Sequence, residues 1–357
     1  MSRSGAVARR TTVTTRRPRV RLSRAWALGC GAAVVLLLSV AVAVTIGPSD
    51  LSPRDVASVV AARLTGGESG LTRIQDGIVW DLRLPRTLLA ASCGAGLAVC
   101  GVVLQSLLRN PLADPFVLGI SSGASTGAVA IVVLGVGAGS IGLATGAFVG
   151  AVVAFGLVLV LAAAAGGTTD RVVLAGVAAT QLFSALTAFI VFTAADAEQT
   201  RGVLFWLLGS LATAGWTDVT VCTAVVLLGL VVCLASASAL DAFTFGSDAA
   251  ATLGIDVGKV RVLLLTVTAL MTAVIVSTSG AIGFVGLVLP HVARALVGVR
   301  HRLVLPISAL VGAVFLVWVD TAARTVLDPQ ELPVGVATAL IGVPAFVLVM
   351  LRRKAVR

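Results

Sequence analysis

The chain has 357 residues, 58% of them hydrophobic and only 12% charged, with 38 glycines and a mean hydropathy of +1.07. A water-soluble core does not need that much apolar sequence, whereas stacked membrane helices do, and the length suits about ten spans of roughly 20 residues with short connections. A bilayer-spanning backbone must satisfy its own hydrogen bonds, so helices or a closed barrel are the choices, and apolar runs without polar alternation exclude the barrel. The fold expected is an all-α polytopic membrane protein.

In chain order, residues 1–25 form an Arg-rich tail, expected to be disordered near anionic headgroups rather than bound to nucleic acid. The first span is predicted over 26–46; its apolar run is longer than a signal peptide's and follows a long basic tail, so it reads as a retained anchor. Next, Ser52-Pro53 followed by Val56, Val59, Val60 and Leu64 and ended by Gly66-Gly67 predicts a capped amphipathic helix along the membrane surface. Further spans are predicted over 87–108, 117–134, 141–165, 172–195, 216–240, 260–279, 282–298, 304–323 and 333–351, making one membrane domain across 26–351. Gly and Ser interrupt the third span, and the eighth is short. Residues 352–357 form a basic end.

Ten spans put both termini on one side. That side then holds 19 of the 26 Lys and Arg residues and the other holds 7. By the positive-inside rule both termini are cytoplasmic, and the net charge of +10 is first of all a topological signal.

The five cysteines fall inside predicted spans without zinc-site spacing and read as small apolar residues. His291, after Pro290, is a lone histidine suited to packing or hydrogen bonding, and no metal site is expected. No catalytic constellation stands out. The stretch GIDVGKV from Gly254 has one residue too few between its glycines for a phosphate loop, and Val260 stands where Ser or Thr should hold magnesium. Asp320 is the one obvious acid deep in a late span, expected near the external surface. Acid–base pairs of the kind a proton-coupled carrier uses are not expected within the spans.

Small residues bring helices together in lipid, and Gly146 with Gly150 share one face. Gly280, Gly283 and Gly286 before Pro290 point to irregular backbone, either a bend lining a pathway or a packing kink. The segment from Asp241 to Lys259 carries a short helix signal: Ser247 as cap, Asp248 at the positive helix start and Gly254 as stop. Phe243, Phe245 and Leu253 give it an apolar surface, for a partner or for its own helices above it.

Two motifs decide between such readings. DLRLPRTLLAASCGAGLAVCGVVLQSLLRNPLADPFVLGISSGASTG runs from Asp81 to Gly127, and GAIGFVGLVLPHVAR runs from Gly280 to Arg294. Together they closely resemble permease subunits of bacterial importers for iron–siderophore complexes and vitamin B12, the FecCD-type family, over about Trp26 to Leu351. The resemblance implies the permease fold of a type II ABC importer in the bacterial cytoplasmic membrane, surrounded by membrane lipid. It implies a second permease subunit (identical or a paralogue), two ABC ATPase subunits that hold the ATP and magnesium, and an extracytoplasmic substrate-binding protein. The chain itself is then no enzyme and binds no cofactor. A ferric siderophore is the cargo expected, with cobalamin or haem as alternatives; an ion-gradient-driven carrier is the reading from another class.

The resemblance also assigns roles. Arg83, Arg86 and Arg324 are expected just outside their spans, docking the binding protein as exposed forks. The loop 241–258, with Asp241, Phe243, Phe245, Ser247, Asp248, Leu253 and Gly254, is expected to couple to the ATPase. Thr168, Thr169 and Asp170 match an inner gate, although Asp170 departs from the small hydroxyl usual there. Cysteines placed at Arg3, Arg73, Arg201 and Arg357 of a Cys-free chain test the topology: an impermeant reagent should label only positions 73 and 201 in intact cells.

Overall fold

A computed structural model describes residues 22–49, 51–136, 142–327 and 330–354; most of the basic tail and the last three residues lie outside the described residues. The chain begins with α1 (Leu22–Thr45), α2 (Pro53–Thr65) and α3 (Arg73–Gly77). A π-helical turn (Ile78–Arg83) then runs straight into α4 (Leu84–Leu107), and a 3-10 turn (Pro115–Leu118) leads to α5 (Ile120–Leu134). There follow α6 (Leu143–Ala164), α7 (Thr169–Ala194), α8 (Ala197–Leu207) and α9 (Trp216–Ala235). The short α10 (Ala237–Phe243) and α11 (Ser247–Thr252) precede α12 (Val257–Ser279), α13 (Val285–Val297), α14 (His301–Ala323) and α15 (Val334–Lys354).

Among the described residues, seven helical stretches are long and apolar enough to cross a membrane. Three shorter apolar helices, Ile120–Leu134, Val285–Val297 and Val334–Leu348, occupy the places expected for spans three, eight and ten. The all-α polytopic class and the order of ten apolar elements follow the sequence. Span two does not begin where expected: the helix is continuous from Arg73 to Leu107, so Arg83 and Arg86 lie within it. The Leu84 N–H reaches back five residues to the Val79 carbonyl, and this wider turn carries the helix past Pro85, which has no N–H to give.

The core is built around α4, which packs against α9, α12, α13 and α14. In lipid, burying Leu against Leu gains little, so close backbone approach supplies the contacts. A Cβ at Gly94 would overlap the Gly312 carbonyl of α14, and one at Gly101 would overlap the Gly286 carbonyl of α13. Gly146 and Gly150 of α6 meet Gly127 and Gly123 of α5 in the same way.

Between α12 and α13 the helix is broken. Gly280 sits at φ 67°, ψ −164°, where a side chain would also strike the Trp206 carbonyl, and Phe284 takes φ 68°. One freed group finds a partner nearby: Ser210 N donates to Ser279 O at 2.9 Å; beside it Val334 N, at the start of α15, donates to Gly209 O at 3.0 Å. Pro290 sits inside α13 and leaves the Gly286 carbonyl without its helical donor. The Gln105 side-chain amide fills that role, donating to Gly286 O and Leu287 O at 3.2 Å each. Thus Gly280 makes the break and Gly286 packs, while nothing approaches Gly283 closely.

The local signals around α2 read correctly. Ser52 and Asp55 form a reciprocal capping box, Pro53 starts the helix, and Gly66 ends it at φ 73°. Its buried face is Val56, Val59 and Ala62; Leu64, expected on that face, is turned away and 78% exposed.

The Gly94–Gly312 crossing should be intolerant of any side chain. Gly94→Val is expected to lower the unfolding temperature in detergent, since overpacking of this kind costs about 1–3 kcal/mol or more. Gly156→Ala, where a Cβ would meet nothing within 4 Å, should leave it unchanged or raise it.

Candidate functional site

Polar side chains gather at the two ends of the bundle. At the end where α4 begins, Arg86 forms a bidentate pair with Asp320 of α14, Nε lying 3.0 and 3.1 Å from the two carboxylate oxygens. Its Nη1 donates to Glu331 at 2.9 and 3.1 Å. Asp320 is 1% exposed. An acid–base pair therefore does lie within the spans, contrary to expectation, close to the last turn of α14. Arg83 donates to the Val44 and Thr45 carbonyls at 3.1 and 3.2 Å and to Ser49, while Arg324 donates to the Ala43 carbonyl. Those carbonyls are the last of α1, where unpaired acceptors and the negative end of the helix dipole favour a cation.

This corrects the picture of exposed forks. Arg83, Arg86 and Arg324 are 6, 8 and 7% exposed, and each guanidinium is committed within the chain. A partner's carboxylate would have to compete with the α1 carbonyls or with Asp320 and Glu331 to reach them.

At the opposite end, α11 is the short helix anticipated between Asp241 and Lys259, and α10, which begins at Ala237 inside the sixth predicted span, makes a helix pair with it. Ser247 is not the cap: Gly246, at φ 111°, holds that position, and Ser247 is the first helical residue. Asp248 lies in the first turn, and Gly254 at φ 81° follows the last, as predicted. Phe245 and Leu253 are 77 and 71% exposed, but Phe243 is buried in the core and adds nothing to the apolar surface.

Asp241 anchors this pair. Its Oδ1 accepts from the His301 backbone N–H at 3.0 Å and lies 2.6 Å from His301 Nδ1. His301 Nε2 is 2.6 Å from Ser106 Oγ, which donates to Val102 O at 3.0 Å. The order Ser–His–Asp resembles a nucleophilic triad, but Ser106 is buried within α4 with Oγ 3.0 Å from the Val102 carbonyl. The chain of bonds ties α10 to α14 and α4. Beside it opens a cavity of about 750 Å³ lined by Arg109, Phe245, His291, Arg294 and Arg300 among others. Within this wall Arg294 Nη1 donates to Gln105 Oε1 at 2.6 Å, and His291 Nε2 lies 3.1 Å from Pro111 O.

Asp114, before the 3-10 turn, accepts from Phe116 N at 3.0 Å. Burial pushes its carboxyl up to about 6 despite that bond. The turn Thr168, Thr169, Asp170 starts α7. Thr168 stands at the cap position without a side-chain bond, and Thr168 and Asp170 are exposed. The preceding Gly167 carbonyl accepts from Arg261 Nη1 at 3.1 Å. Among the described residues no group of His, Cys, Asp and Glu could hold a metal.

Sequence reasoning missed Gln105, Ser106, Arg261, His301 and Glu331. A polar Gln-Ser pair at the end of an otherwise apolar span was the one available signal.

A permease of the type II ABC importer fold accounts for this architecture, and comparison with known proteins places it. The model of the FecCD transport family matches residues 35–352, and the chain belongs to that family. It is 40% identical to the cobalamin import system permease protein BtuC of Halobacterium salinarum, over 94% of this chain and 98% of that protein. It is 38% identical to the Fe(3+) dicitrate transport system permease protein FecD of Escherichia coli, over 78% of this chain and 86% of that one. A solved inward-facing structure of a metal-chelate type ABC transporter superimposes with a TM-score of 0.80 at 30% identity, covering 91% of this chain and 99% of that chain.

The Arg86–Asp320 pair makes an asymmetric prediction. Arg86→Met strands a buried carboxylate and should destabilise the protein by about 3–5 kcal/mol, whereas replacing both partners with apolar residues of similar volume should be close to neutral. Thermal unfolding in detergent of Arg86→Met, Asp320→Leu and the double variant distinguishes a buried anchor from a dispensable surface pair.

Proposed function

We propose that this chain is the permease subunit of an ABC importer that moves a ferric siderophore across the cytoplasmic membrane into the cell. The observation that carries the reading is the exposed Phe245–Leu253 surface on a helix pair pinned through Asp241. Apolar side chains held out beyond the spans on an anchored element suit a partner's groove. With no phosphate loop in the chain, that partner is the ATPase, and it brings the ATP and magnesium. Two permeases, identical or paralogous, and two ATPases complete the membrane assembly. An extracytoplasmic binding protein delivers cargo at the Arg86 end, and both termini are cytoplasmic. The Thr168–Asp170 turn gates the inner side, and the broken segment at Gly280, beside an apolar cavity of about 620 Å³, borders the pathway.

Cobalamin is the second reading, favoured by the 40% identity to a cobalamin permease over almost its whole length; haem is a further alternative within the same class. A gradient-driven carrier is disfavoured because the Arg86–Asp320 pair lies at a helix end, with Arg86 also bound to Glu331, which suits anchoring better than proton relay. Proteoliposomes holding this permease, its partner ATPase and its binding protein test the reading with radio-iron ferrioxamine, radio-cobalt cyanocobalamin and haem. ATP-dependent uptake of the iron chelate is expected. Uptake of cobalamin or haem in its place would reassign the cargo, and uptake without ATPase, driven by an ion gradient, would overturn the importer reading.

A further inference from the structure

We propose that Arg261 is a positioning residue that makes the α6–α7 turn follow the movement of α11. Arg261 lies in the second turn of α12 and reaches two other elements at once. Its Nη1 donates to the Gly167 carbonyl at 3.1 Å, and its Nη2 donates to Ser247 Oγ, at the start of α11, at 2.9 Å. Its Nε is buried and has no acceptor among the described residues. The hydrogen bonding of this guanidinium is thus concentrated on one turn and one short helix.

What surrounds each end gives the bridge its mechanical sense. α10 is fixed to α14 and α4 through Asp241, His301 and Ser106, so a force on the helix pair is taken up in α11, past Gly246 at φ 111°. At the other end, Gly166 and Gly167 take φ 103° and 68°, and a Cβ at either would meet nothing within 4 Å. That turn has left-handed backbone that glycine adopts readily, and both glycines are exposed. Arg261 is the contact that sets its position relative to α11. A guanidinium presents its donors in one plane, so displacing Ser247 rotates the same rigid fork that holds Gly167. The inference rests on the reading that α11 meets the ATPase and goes beyond it by naming how the displacement leaves α11.

The test uses the complete transporter in lipid with Arg261→Ala, Arg261→Lys and Ser247→Ala. Spin labels at Ala165→Cys and Ala251→Cys report the distance between turn and helix. Cys30→Ser removes the one exposed native thiol, since the other four are buried. Arg261→Ala should lower uptake of radio-iron ferrioxamine about tenfold, the scale of losing one hydrogen bond to a charged group, while ATP hydrolysis changes far less. Arg261→Lys should restore part of the uptake, and Ser247→Ala should fall between. The label distance should be narrowly distributed in the parent and broad in Arg261→Ala.

A merely structural Arg261 would lower hydrolysis and uptake together at a fixed ratio of ATP to cargo, and that result overturns the proposal. So does an unchanged label distribution in Arg261→Ala or, where that variant fails to assemble, in Ser247→Ala. If the parent moves no iron chelate yet its label distance broadens on losing Arg261, the linkage stands and the cargo reading falls.

Discussion

A polar group inside a bilayer has no water to turn to, and much of this structure follows from how each such group finds a partner within the chain. Pro290 frees a carbonyl in α13, and Gln105 from α4 takes it. The break at Gly280 exposes backbone, and Ser210, just past α8, donates to the Ser279 carbonyl. The last carbonyls of α1 would be bare, and Arg83 and Arg324 cover them. Irregular backbone, which a transport pathway needs, is tolerated here because side chains from neighbouring helices complete it.

One continuous helix, the π-helical turn with α4, supplies Arg83 and Gln105 among these completions. α4 has 24 residues and so spans about 36 Å. It carries Arg86 at one end and Gln105 with Ser106 at the other, and between them a glycine face that admits the backbones of α13 and α14. The clusters at the two ends are therefore attached to the same rod. Movement in one is referred to the same fixed column as movement in the other, while the less buried α6 and α7 present many apolar side chains outward and are freer to shift.

Legibility in the sequence divided along the range of the interaction. Features set by neighbouring residues were readable: the ten apolar segments, the Ser52–Asp55 cap, the stop at Gly254. Even here Ser247 misled, because Gly246 before it adopts a left-handed backbone and takes the cap position. Features set by distant partners were not readable. Arg86 meets Asp320 from 234 residues away and Ser106 meets His301 from 195, and nothing in the local pattern announces either partner. Phe243 and Phe245 are two apart and look alike in sequence, yet one is core and the other is exposed; only the packing above α10 separates them. The three arginines were seen at once as important. Their burial was not, because the second span was placed from residue 87 when a π-helical turn carries the helix through Pro85 from Arg73 onward.

The way α1 is attached bears on how the chain is made. It precedes the other described spans in the chain, and only 17% of its apolar window is buried by the rest of the protein. Its C-terminal carbonyls are held by Arg83, 38 or 39 residues later, and by Arg324, 281 residues after Ala43. At about 5–20 residues per second, the interval before Arg324 emerges is on the order of tens of seconds. During that interval α1 resides in lipid as a nearly solitary anchor, held at its end by a single arginine. The first described helix thus receives its second arginine only once α14 has been made.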